Sequence, residues 1–384
     1  MSTFASMQFK DIVGQQKVTG NLTDMVSAGR LSHALLFLGK EGVGALPLAL
    51  AFAQYIVCEN KTGEDACGQC AACKKASVYM HPDIHFTYPV IPKKSGDKPV
   101  SADYIKEWRE FVNNYPYGNV FDWLQSLGAE NKQGNITAEE CNDITRKLSL
   151  KSYESEYKIL ILWMPEYLGK EGNKLLKLIE EPPAKTLFIF VAESEEQVLP
   201  TILSRTQLVK IPLLEVPEVQ AALEQGAHLD KAKALDIANL SEGNYRAALQ
   251  LLQHASDDWQ QYLRDWLNAI LKGGHPAIVK WTEEMNKLGR EKQKQFLQYF
   301  NHLLAQSLRL RVMGENNIAL SSQDRDFAQR LNKIASVSGQ EAIVKELDNA
   351  VYYIERNANA KMLFHALSIK LRFIIQHKTL ILTD

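Results

Sequence analysis

Residues Gly39-Lys40-Glu41-Gly42-Val43-Gly44-Ala45-Leu46 have the frame of a phosphate-binding loop, G-x-x-x-x-G-K-[ST], without its two chemical side chains. In a working loop the glycines let backbone N–H groups wrap the phosphates. The lysine reaches the terminal phosphates and the hydroxyl holds Mg²⁺. Here Ala45 stands at the lysine position and Leu46 at the hydroxyl position. A second cluster is Cys58, Cys67, Cys70 and Cys73, spaced C-x8-C-x2-C-x2-C, with Cys141 alone. Four thiolates close a tetrahedral shell, so the metal they suit is one structural zinc with no open position for catalysis. An iron–sulfur cluster also uses C-x2-C steps, but no second cysteine run accompanies this one. The remaining alternative is four free thiols. Unligated thiols are commonly buried, whereas this polar loop is expected to be exposed.

The surrounding elements suit such a loop. The apolar run 34–38 reads as a buried strand before it, and residues 48–57 as a helix after it. Residues 8–30 are expected to be helical, 60–73 to form a knuckle, and 89–100, with Pro89, Pro92, Gly96 and Pro99, to be a linker. Residues 101–127 are dense in aromatics: Tyr104, Trp108, Phe111, Tyr115, Tyr117, Phe121 and Trp123. Their first part has helical spacing behind Ser101 as an N-cap. A helix at 136–150 and a strand at 159–162 follow. A helix at 173–180 is stopped by Pro182-Pro183. Next come a strand at 187–191, a short helix at 198–204 and a last strand at 207–211. Continuous apolar strands alternating with helices predict an α/β core whose parallel sheet is covered on both faces. Residues 213–256 read as a small helical bundle, and everything from Trp259 onward as helix, with Val344, Leu347, Val351 and Ile354 at helical spacing. The expected domains are an α/β core at 1–212, a helical lid at 213–256 and an all-α region at 257–384.

Nucleotide hydrolases of this architecture place an acidic pair after the strand corresponding to 159–162. Trp163-Met164-Pro165-Glu166 follows instead, with Glu166 three residues too late, so the strand end reads as surface. Arg205 ends the run Leu199-Pro200-Thr201-Ile202-Leu203-Ser204-Arg205. From spacing alone it is a surface arginine in an ion pair worth ~0–1 kcal/mol. The 384 residues are 46% hydrophobic and 23% charged, which fits a soluble globular protein of two or three domains. A free-standing nucleic-acid binder would carry a basic excess, and the net charge here is -1. Residues 1–10 lack a basic stretch leading into an apolar one, and no apolar run approaches the ~18 residues of a membrane span. The expected compartment is the cytoplasm.

Several of these runs together resemble bacterial clamp-loader AAA+ subunits. They are Phe9-Lys10-Asp11-Ile12-Val13-Gly14-Gln15, Leu31-Ser32-His33-Ala34, Lys158-Ile159-Leu160-Ile161-Leu162, Leu175-Leu176-Lys177-Leu178-Ile179-Glu180-Glu181-Pro182-Pro183 and the run ending at Arg205. Cys67-Gly68-Gln69-Cys70 through Cys73, then His81-Pro82-Asp83, is similar to the zinc module of that family. Arg356-Asn357-Ala358-Asn359-Ala360-Lys361-Met362-Leu363 is similar to its collar helix. The resemblance implies an α/β AAA+ core with a zinc knuckle, a helical lid and an all-α oligomerisation collar. Members with an intact loop are the ATPase motors, gamma and tau. A defective loop resembles the stator type, which closes one end of a heteropentamer with gamma/tau and delta subunits. It lends an arginine to the adjacent motor while the assembly loads a sliding clamp on primed DNA.

Carried over on that basis, Arg205 with Ser204 would be the arginine given in trans, although Thr206 stands where the family usually has cysteine. Gly243-Asn244-Tyr245-Arg246 matches the family's second sensor, an arginine that in motors touches the subunit's own nucleotide. With the loop degraded, Arg246 is expected to be vestigial, and ATP binding absent or weak. The stretch 92–134 exceeds the family's usual length and reads either as a helix pair packed on the core or as a partner surface. Two other functions compete. One is an active motor using Lys40 as a displaced phosphate lysine, though Lys40 lies on the wrong side of the loop. The other is a stand-alone zinc-containing DNA-binding protein, against which the neutral charge and closed zinc site argue.

Overall fold

Five short apolar or amphipathic runs form one parallel sheet in the computed structural model: β1 Ala34–Leu38, β2 Ile84–Thr87, β3 Lys158–Trp163, β4 Thr186–Ala192 and β5 Gln207–Lys210. Their order is β2-β3-β4-β1-β5, with every pair parallel. The residues described are 8–94, 96–129, 132–227, 229–253, 259–313, 322–355 and 358–377. The chain divides into two units, Met1–Ala248 and Leu249–Asp384.

Strands β3 and β4 are buried along their whole length, as a parallel sheet with both faces covered requires. The period of two sends Leu35, Phe37, Ile161 and Ile189 to one apolar cluster. Leu36, Leu160, Phe188 and Phe190 go to the other. The helices covering them are α1 Gln16–Ser27, α2 Ala45–Val57, α3 Ala71–Ser77, α4 Ile105–Asn114, α5 Val120–Ser126, α6 Ala138–Ser149, α7 Leu176–Glu180 and α8 Pro200–Leu203. Three further helices, α9 Val216–Ala227, α10 Lys231–Leu240 and α11 Tyr245–Gln253, follow β5. The second unit holds α12 Trp259–Asn268, α13 Gly274–Lys287, α14 Arg290–Met313, α15 Ser322–Ile334, α16 Val337–Glu355 and α17 Ala360–Arg372. Its core centres on Trp266, stacked on Trp281 at 4.8 Å, with the indole N–H donated to Ser368 Oγ at 2.8 Å. Of the collar-like run, Arg356 and Asn357 lie outside the described residues. Asn359 caps α17 by accepting the Met362 N–H.

Several sequence expectations give way locally. Residues 8–30 are not one helix: Gly14 and Gln15 have φ of 62° and 66°, so a 3-10 turn, Phe9–Asp11, is separated from α1. The loop helix begins at Ala45 rather than 48, because Gly44 at φ 92° turns the loop directly into it. Strand β2 and helix α3 were not anticipated. The β2 side of the sheet is set by Asp83, whose carboxylate accepts the N–H groups of Tyr153, Glu154 and Ser155. The helix expected at 173–180 is regular only over α7. A 3-10 stretch, Pro165–Leu175, precedes it and breaks at Gly169, φ 51° and ψ -149°. Ser101 is not the N-cap of α4. It is buried, its hydroxyl accepts the Tyr88 N–H at 3.1 Å, and a 3-10 turn, Ser101–Tyr104, intervenes. The expected linker is tied down as well: Ile91 is buried and Val90 exchanges backbone hydrogen bonds with Asn135.

The aromatic stretch is a helix pair on the core. Trp108 is fully buried, stacked on Tyr88 at 4.1 Å and 13°. Trp123, Phe111 and Trp163 lie around it with centroids 5.2–5.7 Å away.

Candidate functional site

The glycine loop lies between β1 and α2, with Gly42 at φ 74° and Gly44 at φ 92°. A side chain on Gly44 would sit 3.0 Å from Tyr117 Cε1. Tyr117 comes from the connection between α4 and α5. Its hydroxyl accepts the Val13 N–H at 2.9 Å, and its ring meets Tyr245 edge-on at 4.9 Å. Pro116, Tyr117 and Gly118 cover the loop beside Trp163, Val191 and Glu193, leaving a cavity of about 20 Å³. That is the space of a water molecule, where a working loop must admit phosphates.

The expected vestigial sensor Arg246 reaches this loop. It is only 5% exposed. Its Nε and Nη2 donate to the two oxygens of Asp122 at 2.5 and 2.7 Å, and Nη1 donates to Glu41 Oε1 at 2.8 Å. Asn119 Nδ2 holds the other Glu41 oxygen at 2.9 Å. Asn119 also caps α5 by accepting the Asp122 N–H, which fixes the carboxylate on the first turn. The Tyr245 N–H donates to Gly42 O at 3.0 Å. Sequence reasoning singled out neither Glu41 nor Asp122. The Asn119/Asp122 spacing marks a capped helix start, but its partner is 124 residues away.

Glu166 is not a surface residue. Its Oε1 accepts the N–H groups of Glu193 and Ser194 at 2.7 and 3.0 Å, and burial pushes its carboxyl above the usual range. It stitches the ends of β3 and β4 together.

Ser204 and Arg205 form a separate group after α8. Arg205 Nε donates to Glu180 Oε1 at 2.6 Å, and Nη1 donates to Thr201 O and Ser204 Oγ at 2.9 and 3.0 Å. The Arg205 side chain is 32% exposed and the Glu180 side chain 48%. Nη2 also lies 2.5 Å from Glu180 Oε1, so all three nitrogens are held by partners within the chain and the side chain is only partly open to solvent.

The four cysteines converge. Their sulfurs all lie within 4.8 Å of one another. Cys67 Sγ and Cys73 Sγ are 3.9 Å apart, close to the ~3.8 Å edge of a tetrahedron with ~2.3 Å zinc–sulfur bonds. Backbone N–H groups point at the sulfurs: Cys67 N to Cys58 at 3.2 Å, Gln69 N and Cys70 N to Cys67 at 3.4 and 3.3 Å, and Cys73 N to Cys70 at 3.4 Å. The Gln69 and Cys70 donors draw the Cys67 thiol down to about 6. Burial and neighbouring thiols push Cys73 up, a charge conflict that a dication resolves. The donor set fits zinc. The polar loop at 59–64 is exposed as expected, whereas Cys58 and Cys73 are buried. The knuckle is also pinned to the start of the chain: Phe9 N and Lys10 N donate to the Asp65 carboxylate, and Gln8 Nε2 to Ala66 O.

A family model described as DNA polymerase III, delta subunit, matches residues 14–215. The chain is 27% identical over 287 residues to the delta' subunit of DNA polymerase III from Escherichia coli, covering 73% of this chain and 71% of that one. It is 28% identical over 270 residues to the gamma/tau subunit from Mycobacterium tuberculosis, covering 67% of this chain. That match spans only 39% of the gamma/tau relative's length. Among solved structures, a DNA polymerase III gamma subunit-related protein from Thermotoga maritima aligns at 15% identity and a TM-score of 0.37, covering 92% of this chain and 98% of the other. The matched family model takes in the glycine loop, the four cysteines and Arg205, and the chain belongs to the DNA polymerase III delta subunit family as a delta prime-like AAA+ clamp-loader protein.

Proposed function

We propose that this chain is the non-hydrolysing stator, delta prime, of a bacterial clamp loader. In this reading it joins gamma/tau motors and a delta subunit in a heteropentamer that loads the sliding clamp on primed DNA. The single observation that carries the reading is the glycine loop. Ala45 and Leu46 replace the phosphate lysine and the Mg²⁺ hydroxyl, and only about 20 Å³ remains above them. With neither the loop lysine nor the Mg²⁺ hydroxyl in place, charge developing on a phosphoryl group lacks the stabilisers a working loop supplies, so ATP binding is absent or weak and turnover nil.

The role left is to act on a neighbour's nucleotide. Arg205 is 32% exposed, and its fork rests on Glu180, itself a surface side chain. Exchanged from that carboxylate to a neighbour's nucleotide, the guanidinium can accept charge on a transferring phosphoryl group through paired donors. Residues 213–256 would serve as lid and 257–384 as oligomerisation collar, with one structural zinc at Cys58, Cys67, Cys70 and Cys73. DNA and clamp are reached through the assembly, in the cytoplasm.

Similarity to gamma/tau relatives favours a second reading, an active motor. Against it, Lys40 lies at the loop's start and is exposed. Reconstitution with motor and delta subunits decides: clamp loading should require this chain, and the isolated chain should turn over no ATP above blank. Steady turnover abolished by Lys40→Ala would replace the stator with the motor.

A further inference from the structure

The role of the aromatic stretch follows from what it touches. Tyr117 packs over Gly44, and Asp122 is bonded through both oxygens to Arg246. We propose that this segment is an internal occupant of the nucleotide site. Tyr117 takes the volume, and the carboxylates of Asp122 and Glu41 take over the arginine of α11, latching the helices after β5 onto the α/β core without nucleotide. The inference deepens the non-hydrolysing reading and rests on it for the loop being unused.

Three features separate the latch from an ordinary ion pair. First, it joins three segments distant in sequence: the loop at Glu41, the first turn of α5 at Asp122, and α11 at Arg246. A carboxylate accepts a guanidinium fork as a phosphate does, through two parallel N–H···O bonds. Second, the segment before α11 lies in direct contact with the loop. Gly42 faces Asn244 so closely that a Cβ there would overlap its Oδ1 at 1.8 Å, and Gly42 O is already bonded to Tyr245 N. Third, Gln15 pins the same loop to the segment leading into α9, through Nε2 bonds to Val43 O and Pro212 O at 3.2 and 2.9 Å. A buried pair of this kind adds little net stability over apolar packing, yet breaking one side of it is strongly unfavourable. It therefore selects one position of α11 rather than simply strengthening the fold.

Hydrogen exchange of the full chain tests this, read at the Tyr245 amide and across residues 39–46. In the wild type these amides should exchange slowly, and millimolar Mg·ATP should not change them. Asp122→Ala removes both bonds of the guanidinium fork and one of the two carboxylates of the latch, so Tyr245 exchange should rise on the order of a hundredfold. The paired replacement Asp122→Asn with Arg246→Gln substitutes neutral amides and should recover most of the protection. Should Asp122→Ala fail to fold, the ATP arm and the paired variant still decide. Unchanged exchange in Asp122→Ala, or ATP-induced protection of the wild-type loop, would overturn the latch. ATP turnover by the isolated chain would instead overturn the non-hydrolysing reading, so the two failures are distinct.

Discussion

Arg205→Ala separates a finger from a surface residue because the two roles differ greatly in energy. Within the chain the Arg205 side chain is 32% exposed and its partner Glu180 48% exposed. Such a pair contributes ~0–1 kcal/mol. Its other bonds, to Thr201 O and Ser204 Oγ, are also at the surface. The isolated variant should therefore melt within ~2–4 °C of the wild type, the shift that about 1 kcal/mol produces in a unit of this size. An arginine supplied in trans is worth ~10³–10⁵ in rate, or about 4–7 kcal/mol at the transition state. The assay is single-turnover ATP hydrolysis by the reconstituted complex with clamp and primed DNA. The expected result is normal assembly with one interface's share of the burst missing, so the steady-state rate falls by less than the single-site factor. Arg205→Lys should not restore the missing share, since a point charge lacks the planar fork. A complete burst from a normally assembled Arg205→Ala complex would refute the argument and leave Arg205 as an ion-pair residue.

Purified under reducing, chelator-free conditions, the protein should contain about one zinc per chain by elemental analysis, and finding none would reject the site. Cys70→Ser should raise amide exchange across 58–77 and, through Asp65, in the Phe9–Asp11 turn, while β1, β3 and β4 stay protected. Burial, and then Lys147, lowers the His85 pKa to about 4. Its neutral form is favoured on folding, so this stability is complete above the unfolded value of ~6.5 and is lost as pH falls toward 4. Between pH 7 and 5 the loss should be about 2 kcal/mol, visible as a fall in urea midpoint that His85→Gln abolishes. An equal fall in both proteins would show that His85 is not responsible. Trp108→Ala empties the centre of the aromatic cluster and should cost ~3–5 kcal/mol by urea unfolding; a cost below ~1 kcal/mol would mean that the stretch is not part of the core.

The parts of the molecule legible in the sequence are those with local signals. Strands β3 and β4 are apolar after their first residues, Lys158 and Thr186, so no tertiary knowledge was needed to place them. The cysteine spacing announced a four-sulfur site, and the glycine frame announced a loop with Ala45 and Leu46 in place of its chemistry. Strand β2 was hidden because Ile84-His85-Phe86-Thr87 is short and lies between two prolines, Pro82 and Pro89. Glu166 looked like surface because its partners are backbone amides at 193 and 194, which no side-chain pattern reveals. The Asp122–Arg246 pair was invisible for a stronger reason. Each residue alone is an ordinary charge on a helix, and their meeting depends on the positions of α5 and α11 together.

The sheet order imposes a timetable on synthesis. Strand β1 is made first, yet its two neighbours are β4 and β5, the last to be made. At translation speeds of ~5–20 residues per second, the chain from Ala34 to Lys210 takes roughly 10–35 s to emerge. For most of that interval, until β4 emerges, β1 and the almost wholly apolar α2 have no neighbouring strand to join. The cysteine knuckle is complete far earlier, because its four cysteines all lie between 58 and 73. A nascent chain can thus fasten its N-terminal turn to the knuckle, through Asp65, while the central strand still waits. Any ribosome stall before residue 186 leaves that strand bare on both edges, an invitation to chaperones and to aggregation alike.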